Sequence, residues 1–121
     1  MTAKPVLVVD DSPTLRHAAM LLLEKRGYQV TMAVDGVDAL EKINAARPMV
    51  VVLDIVLPKM NGYEVLRQLK ASDATRGIKV ILVSSKSQES DRFWGLKQGA
   101  DDYIAKPYQD EALLAAVKRQ L

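Results

Sequence analysis

The feature that most constrains this chain is the rhythm of its short apolar runs. Val6-Leu7-Val8-Val9, Met49-Val50-Val51-Val52-Leu53 and Val80-Ile81-Leu82-Val83 are brief, rich in β-branched side chains and continuously apolar. Such runs suit strands buried on both faces, the condition of a parallel sheet. Tyr28-Gln29-Val30-Thr31-Met32 alternates instead, which fits an edge strand with one wetter face, and Tyr103-Ile104-Ala105 reads as a brief last strand.

Between these runs lie amphipathic stretches. Ser12-Pro13 places a capping side chain ahead of a proline at the first helical position, and Gly27 closes that helix. Leu15, Ala18, Ala19, Leu22 and Leu23 form its expected inner stripe. A second helix is expected from about Val37 to Ala46, burying Val37, Leu40 and Ile43 and stopped by Pro48. A third starts after Asn61-Gly62 and buries Leu66 and Leu69. A fourth spans about Ser87 to Gln98, with Phe93 and Leu96 given to the core, and ends at Gly99. The last runs from Asp110 to the end, with Leu113, Leu114, Val117 and Leu121 on one side. Five strand–helix pairs with right-handed crossovers predict a doubly wound α/β domain: a five-stranded parallel sheet with helices on both faces. Ligands in such folds bind at the carboxyl ends of the strands.

Composition narrows the function. A length of 121 residues, 49% of them hydrophobic and 26% charged, predicts a single globular domain over 1–121 with no output domain after it. No apolar run approaches the ~20 residues of a membrane span, and the first residues do not read as a secretory signal, so a cytoplasmic location with no membrane partner is expected. There is no cysteine and one histidine, His17, read as an ordinary helix-face residue. Any metal should therefore be a hard cation held by oxygens. A net charge of +2 argues against nucleic acid as a partner.

The residues just after each run carry the chemistry. The first strand ends in Asp10-Asp11, the third in Asp54, the fourth in Ser84-Ser85, and the fifth leads into Lys106-Pro107. Three close carboxylates repel unless something neutralises them. Mg²⁺ prefers oxygen ligands, keeps several waters and often uses one or two carboxylates plus phosphate. A single aspartate after the first strand would read as a helix cap, but capping does not account for Asp54. A carboxylate can also attack phosphorus and form an aspartyl phosphate. Such transfer is mostly positioning and charge neutralisation, which a lysine, a hydroxyl and a divalent cation supply. Taken singly, Ser84 would pass for a polar strand end and Lys106 for a surface lysine. Pro107 constrains the backbone beside Lys106.

The segments V-D-D-S at 9–12, L-D-I-V-L-P-K-M-N-G at 53–62, V-S-S at 83–85 and K-P at 106–107 together resemble the receiver domain of two-component response regulators, over the whole chain. The resemblance implies the flavodoxin-like strand order 2-1-3-4-5. It implies Asp54 as phosphoacceptor, with a histidine kinase as donor, and Asp10, Asp11, Asp54 and the backbone carbonyl of Val56 around Mg²⁺. It implies Ser84 as the switch hydroxyl, Lys106 as the phosphate-contacting cation and Tyr103 as the switch aromatic. Serine stands where threonine is common, with the same hydroxyl. Val56 is apolar beside the expected acyl phosphate, and is expected to hinder attack by water.

The expected output is a surface that changes when Asp54 gains charge. Ser84 would be drawn to the phosphoryl oxygens and leave room that Tyr103 moves into. In the family, the face built by the fourth helix, fifth strand and fifth helix meets the downstream protein. Trp94 is expected to be partly exposed, either as a partner contact or lying flat over its helix. The stretch from Ser84 to Pro107, with W-G-L-K-Q-G-A-D inside it, resembles stand-alone receivers of pilus-based motility and taxis pathways. Three other readings compete. An aspartate-nucleophile phosphatase would want a second acid where Val56 stands. A flavodoxin-type carrier would want a phosphate cradle where Asp10-Asp11 stand. A receiver-like module could bind partners without taking phosphate.

Overall fold

The computed structural model describes residues 3–121. Strands β1 (Pro5–Val9), β2 (Gln29–Ala33), β3 (Val50–Asp54), β4 (Lys79–Ser84) and β5 (Asp102–Ala105) alternate with helices α1 (Pro13–Glu24), α2 (Gly36–Ala46), α3 (Gly62–Ala71), α4 (Glu89–Lys97) and α5 (Asp110–Arg119). All strand pairs are parallel, and the sheet order is β2-β1-β3-β4-β5, as expected.

Strand side chains alternate between faces, and the core divides accordingly. Leu7, Val9, Leu53 and Leu82 pack with Ala39, Ile43, Leu66 and Leu69 under α2 and α3. Val6, Val8, Val52, Ile81 and Val83 pack with Ala19, Leu23, Leu113 and Val117 under α1 and α5. β2 is the half-wet edge strand, with Gln29 and Thr31 exposed. The strand ends fall in register: Asp54 lies opposite Val83, and Ser84 opposite Ala105. The tips of β3, β4 and β5 therefore open on one edge of the sheet.

Several inner stripes differ from expectation, each for a local reason. Leu15 and Ala18 are exposed, because α1 does not close against the β5–α5 loop. They line a cleft of about 420 Å³ with Ala19, Leu22, Pro107 and Tyr108. Val37 is exposed and Ala39 takes its place, because Gly36 is pressed against the Met60 carbonyl and sets the rotation of α2. Met49 precedes β3 and is exposed, and Leu121 lies beyond the end of α5.

The largest correction is in α4. Phe93, given to the core, is 68% exposed, and Trp94 is 53% exposed. The buried position is Gly95. A Cβ there would fall 2.9 Å from Tyr103 Cδ2 and 3.1 Å from Leu82 Cδ1, so the helix comes too close to the sheet for a large inward side chain. Phe93 is two positions away, about 200° around the helix, and must point out.

Candidate functional site

The site is built from loops that side chains and close backbone contacts hold in place. Ser12 caps α1, its Oγ accepting from the Leu15 N–H. Asp10 is therefore not the cap. Its Oδ1 accepts from the Ser12 N–H at 2.9 Å, which turns the chain at the end of β1. Arg16 reaches back from α1 and donates through Nη1 to the Asp10 carbonyl at 2.8 Å.

The β3–α3 loop is walled by backbone. Gly62 donates its N–H to the Ile55 carbonyl at 2.8 Å. A Cβ on Gly62 would lie 2.4 Å from the Asp54 carbonyl oxygen. Asn61 caps α3 through the Glu64 N–H. Lys59 adopts a positive φ of 67° and pairs with the buried Asp35 at 3.5 Å. Asp35 in turn caps α2.

Three carboxylates meet at this edge. Asp10, Asp11 and Asp54 can each place one oxygen within 4.8 Å of the others. Asp10 and Asp54 are buried and Asp11 is exposed, so the group opens outward through Asp11. The Lys106 ammonium bridges the two buried members, 2.9 Å from Asp10 Oδ2 and 3.0 Å from Asp54 Oδ2. Burial pushes the Asp54 carboxyl above its ordinary value, against the pull of Lys106. Burial would lower Lys106, but the hydrogen bonds and charges of Asp10 and Asp54 outweigh it and hold the ammonium above its ordinary value. The Lys106-Pro107 peptide is cis.

The donor set fits a hard divalent cation. It offers carboxylate oxygens from two strand ends, open on one side, with no sulfur ligand from cysteine anywhere in the chain. Val56 is 69% exposed at the mouth, and its N–H lies 3.4 Å from Asp54 Oδ1.

Ser84 is buried at the tip of β4. Its Oγ accepts from the Lys86 N–H at 3.1 Å, and its carbonyl accepts from the Lys106 N–H at 2.7 Å. Asp10, Asp11, Asp54 and Lys106 are thus together, with Ser84 tied to the Lys106 backbone. Tyr103 is deeper in β5 and Trp94 is outside on α4.

The Tyr103 ring is buried, 3% exposed, and its hydroxyl donates to the Lys86 carbonyl at 2.8 Å. The groove left by Gly95 gives it that place. Sequence reasoning passes over Arg16, Lys59 and the close packing of Gly36, Gly62 and Gly95. The Asn61-Gly62 pair after an apolar run is the one available signal, and by itself it marks only a helix start.

A model of the response regulator receiver domain matches residues 6–118. The chain belongs to that family of signalling modules. PilH of Pseudomonas aeruginosa is 43% identical over 116 residues, covering 96% of this chain and 96% of PilH. The chemotaxis response regulator CheY4 of Vibrio cholerae superposes with a TM-score of 0.93 at 30% identity, covering 99% of this chain and 100% of that one. The receiver domain of the Pseudomonas aeruginosa sensor histidine kinase PA1611, solved with a magnesium ion coordinated in its active site cleft, superposes with a TM-score of 0.89 at 28% identity and 98% coverage of both chains. Among the described residues, no helix is long and apolar enough to cross a membrane.

Proposed function

We propose that this chain is a response regulator receiver that takes a phosphoryl group on Asp54 from a histidine kinase and uses the added charge to alter a partner-binding surface. The observation that carries the reading is the Lys106 ammonium set between Asp10 and Asp54 beside a third carboxylate. A buried nucleophilic carboxylate next to a fixed cation is what phosphoryl transfer requires.

In the transfer, an Asp54 carboxylate oxygen attacks the phosphorus of a phosphohistidine. The O–P bond forms as the P–N bond breaks, and the released imidazole nitrogen takes a proton from solvent. Lys106 would meet charge on the phosphoryl oxygens, and the Ser84 hydroxyl would donate to one of them. Asp10, Asp11, Asp54 and the Val56 carbonyl are the groups that would hold Mg²⁺, supported by the magnesium in the PA1611 receiver cleft. When bound, that ion supplies neutralisation of charge shared by the carboxylates and the phosphoryl group. Return to the resting state is hydrolysis: water attacks phosphorus, the bond to Asp54 breaks and phosphate leaves. The chain catalyses only these two steps on itself.

The downstream partner is a protein that reads the face built by α4, β5 and α5. Motility or taxis signalling is favoured by the likeness to CheY4 and by the W-G-L-K-Q-G-A-D stretch. A cytoplasmic site of action fits a kinase donor.

The test is incubation with acetyl phosphate and Mg²⁺, read by intact mass. The expected gain is one phosphoryl group, absent in Asp54→Ala. No gain, or a gain that survives Asp54→Ala, overturns the reading, the former in favour of binding without phosphorylation. Turnover of a small phosphoester would point to a phosphatase instead. Val56 sets the lifetime: Val56→Asn should lose its phosphoryl group several-fold faster, about 1 kcal/mol of barrier, measured by the decay of the mass gain. Equal decay rates would remove Val56 from that role.

A further inference from the structure

Arg92, on α4, reaches across to β5. Its Nη1 donates to the Tyr103 carbonyl at 2.6 Å, and its Nη2 lies 3.4 Å from Asp102 Oδ1. Asp102 is 4% exposed, and both of its oxygens are engaged: Oδ1 also accepts the Tyr103 N–H at 2.8 Å, and Oδ2 accepts Arg119 Nη2 of α5 at 2.6 Å. Both backbone polar groups of Tyr103 therefore end on side chains. The outer edge of an edge strand would otherwise be open.

α4 has little else to hold it. Its two largest side chains face solvent, Gly95 is its buried residue and Leu96 is half-buried. Apolar burial scales with area removed from water, and a glycine contributes almost none. Charge-assisted hydrogen bonds are the stronger kind, and Arg92 makes one directly to the residue whose ring Gly95 covers. At the other end of that ring, the Tyr103 hydroxyl bonds the Lys86 carbonyl, and the Lys86 N–H bonds Ser84 Oγ. A continuous set of contacts thus runs from Ser84 through Tyr103 to α4, and through Asp102 to α5.

We propose that Arg92 is a positioning residue for the switch: anchored by Asp102, it clamps α4 against β5 and, through Gly95 of α4, holds the Tyr103 ring inward, which favours the arrangement a phosphoryl group on Asp54 would select. The link to phosphorylation rests on the function proposed above. The clamp itself does not. A ligand shifts an equilibrium only by its differential affinity for the two states. Prior stabilisation of the inward state therefore raises the apparent affinity for a phosphoryl mimic by the fraction populated.

The experiment uses the full chain labelled with 3-fluorotyrosine, whose four tyrosines give separate ¹⁹F signals, with Tyr103→Phe identifying the one of interest. The same proteins are titrated with beryllofluoride in Mg²⁺, followed by the fluorescence of the single tryptophan. In Arg92→Met the Tyr103 signal is expected to move toward a solvent-exposed position, and beryllofluoride affinity to fall about tenfold, the size of a charged hydrogen bond. Arg92→Lys keeps one donor and should recover part of both effects. Arg119→Met leaves the bond to the Tyr103 carbonyl in place and should act more weakly than Arg92→Met. An unchanged Tyr103 signal in Arg92→Met overturns the clamp, as does an Arg119→Met effect of equal size, which would mark general loosening. If the wild-type protein does not respond to beryllofluoride, the function reading fails, while the ¹⁹F comparison still decides the clamp.

Discussion

Two helices in this molecule approach the sheet through a glycine, and the walls they meet differ. Gly62, at the start of α3, faces backbone: its absent Cβ would lie 2.4 Å from the Asp54 carbonyl oxygen and 2.8 Å from Ile55 Cα. Gly95, in α4, faces side chains: Tyr103 Cδ2 at 2.9 Å and Leu82 Cδ1 at 3.1 Å. Backbone within a parallel sheet cannot yield without breaking its ladder, whereas a ring can turn about χ1. The end that holds the carboxylate proposed to react is thus framed by something stiff. The end expected to report on it is framed by the side chain expected to move.

The sharpest way to break that comparison is Gly62→Ala. The new methyl must displace the peptide that carries Asp54, at a cost of about 3 kcal/mol. Urea unfolding should show the loss, and phosphoryl gain from acetyl phosphate should fall with it. A variant as stable as wild type would mean that the β3–α3 loop is softer than its contacts imply.

Two buried carboxylates extend the contrast and fix a pH dependence. For Asp102, burial would raise the carboxyl, but the Arg119 hydrogen bond, the Tyr103 N–H and the charges of Arg119 and Arg92 outweigh it and hold the group below its ordinary value. A depressed carboxyl stabilises the fold above its unfolded value of about 3.9 and loses that contribution as pH falls through the lower folded value. Asp54 has the opposite sign: burial raises it, so its ionised form costs stability at neutral pH and protonation relieves that cost. Asp102→Asn should therefore destabilise by about 1.5 kcal/mol at pH 7, toward the low end for charged hydrogen bonds because both arginines are half exposed. The gap to wild type should close below about pH 4. Thermal unfolding from pH 7 to pH 3 reads it directly, and a gap that widens on acidification would contradict the assignment.

Much of this is legible in the sequence, and the parts that are not share a cause. The continuous apolar runs mark the strands and their parallel pairing, because burial on both faces leaves no polar positions. The acids, serine and lysine are readable because each lies at or just past the end of a strand, so topology brings them together without any knowledge of packing. The rotation of α4 is not readable. Phe93 and Leu96 make a plausible inner pair, and nothing local says that Tyr103, from another strand, fills the space they would need. Val37 fails likewise, since the approach of Gly36 to Met60 is a tertiary contact. Asp102 reads simply as the residue before a short strand. Its partners Arg92 and Arg119 come from two different helices, 10 and 17 positions away.

The mildest perturbation bears most directly on the comparison. Gly95→Ala adds a methyl 2.9 Å from Tyr103 Cδ2 and 3.1 Å from Leu82 Cδ1, so the ring must shift and the leucine give by a few tenths of an ångström. It also replaces glycine inside a helix by the best helix former, a gain of about 1 kcal/mol. The strain against the ring, about 1–2 kcal/mol for modest overpacking, is largely offset, and the net loss of stability should stay under about 1 kcal/mol. Tyr103 should nonetheless respond, because the cheapest relief is rotation of its ring away from the helix. Near-normal urea unfolding combined with a displaced Tyr103 ¹⁹F signal would place the compliance of this wall in the aromatic side chain. A stability loss matching Gly62→Ala would instead show that α4 is seated as rigidly as α3, and the distinction between the two ends of the molecule would not survive it.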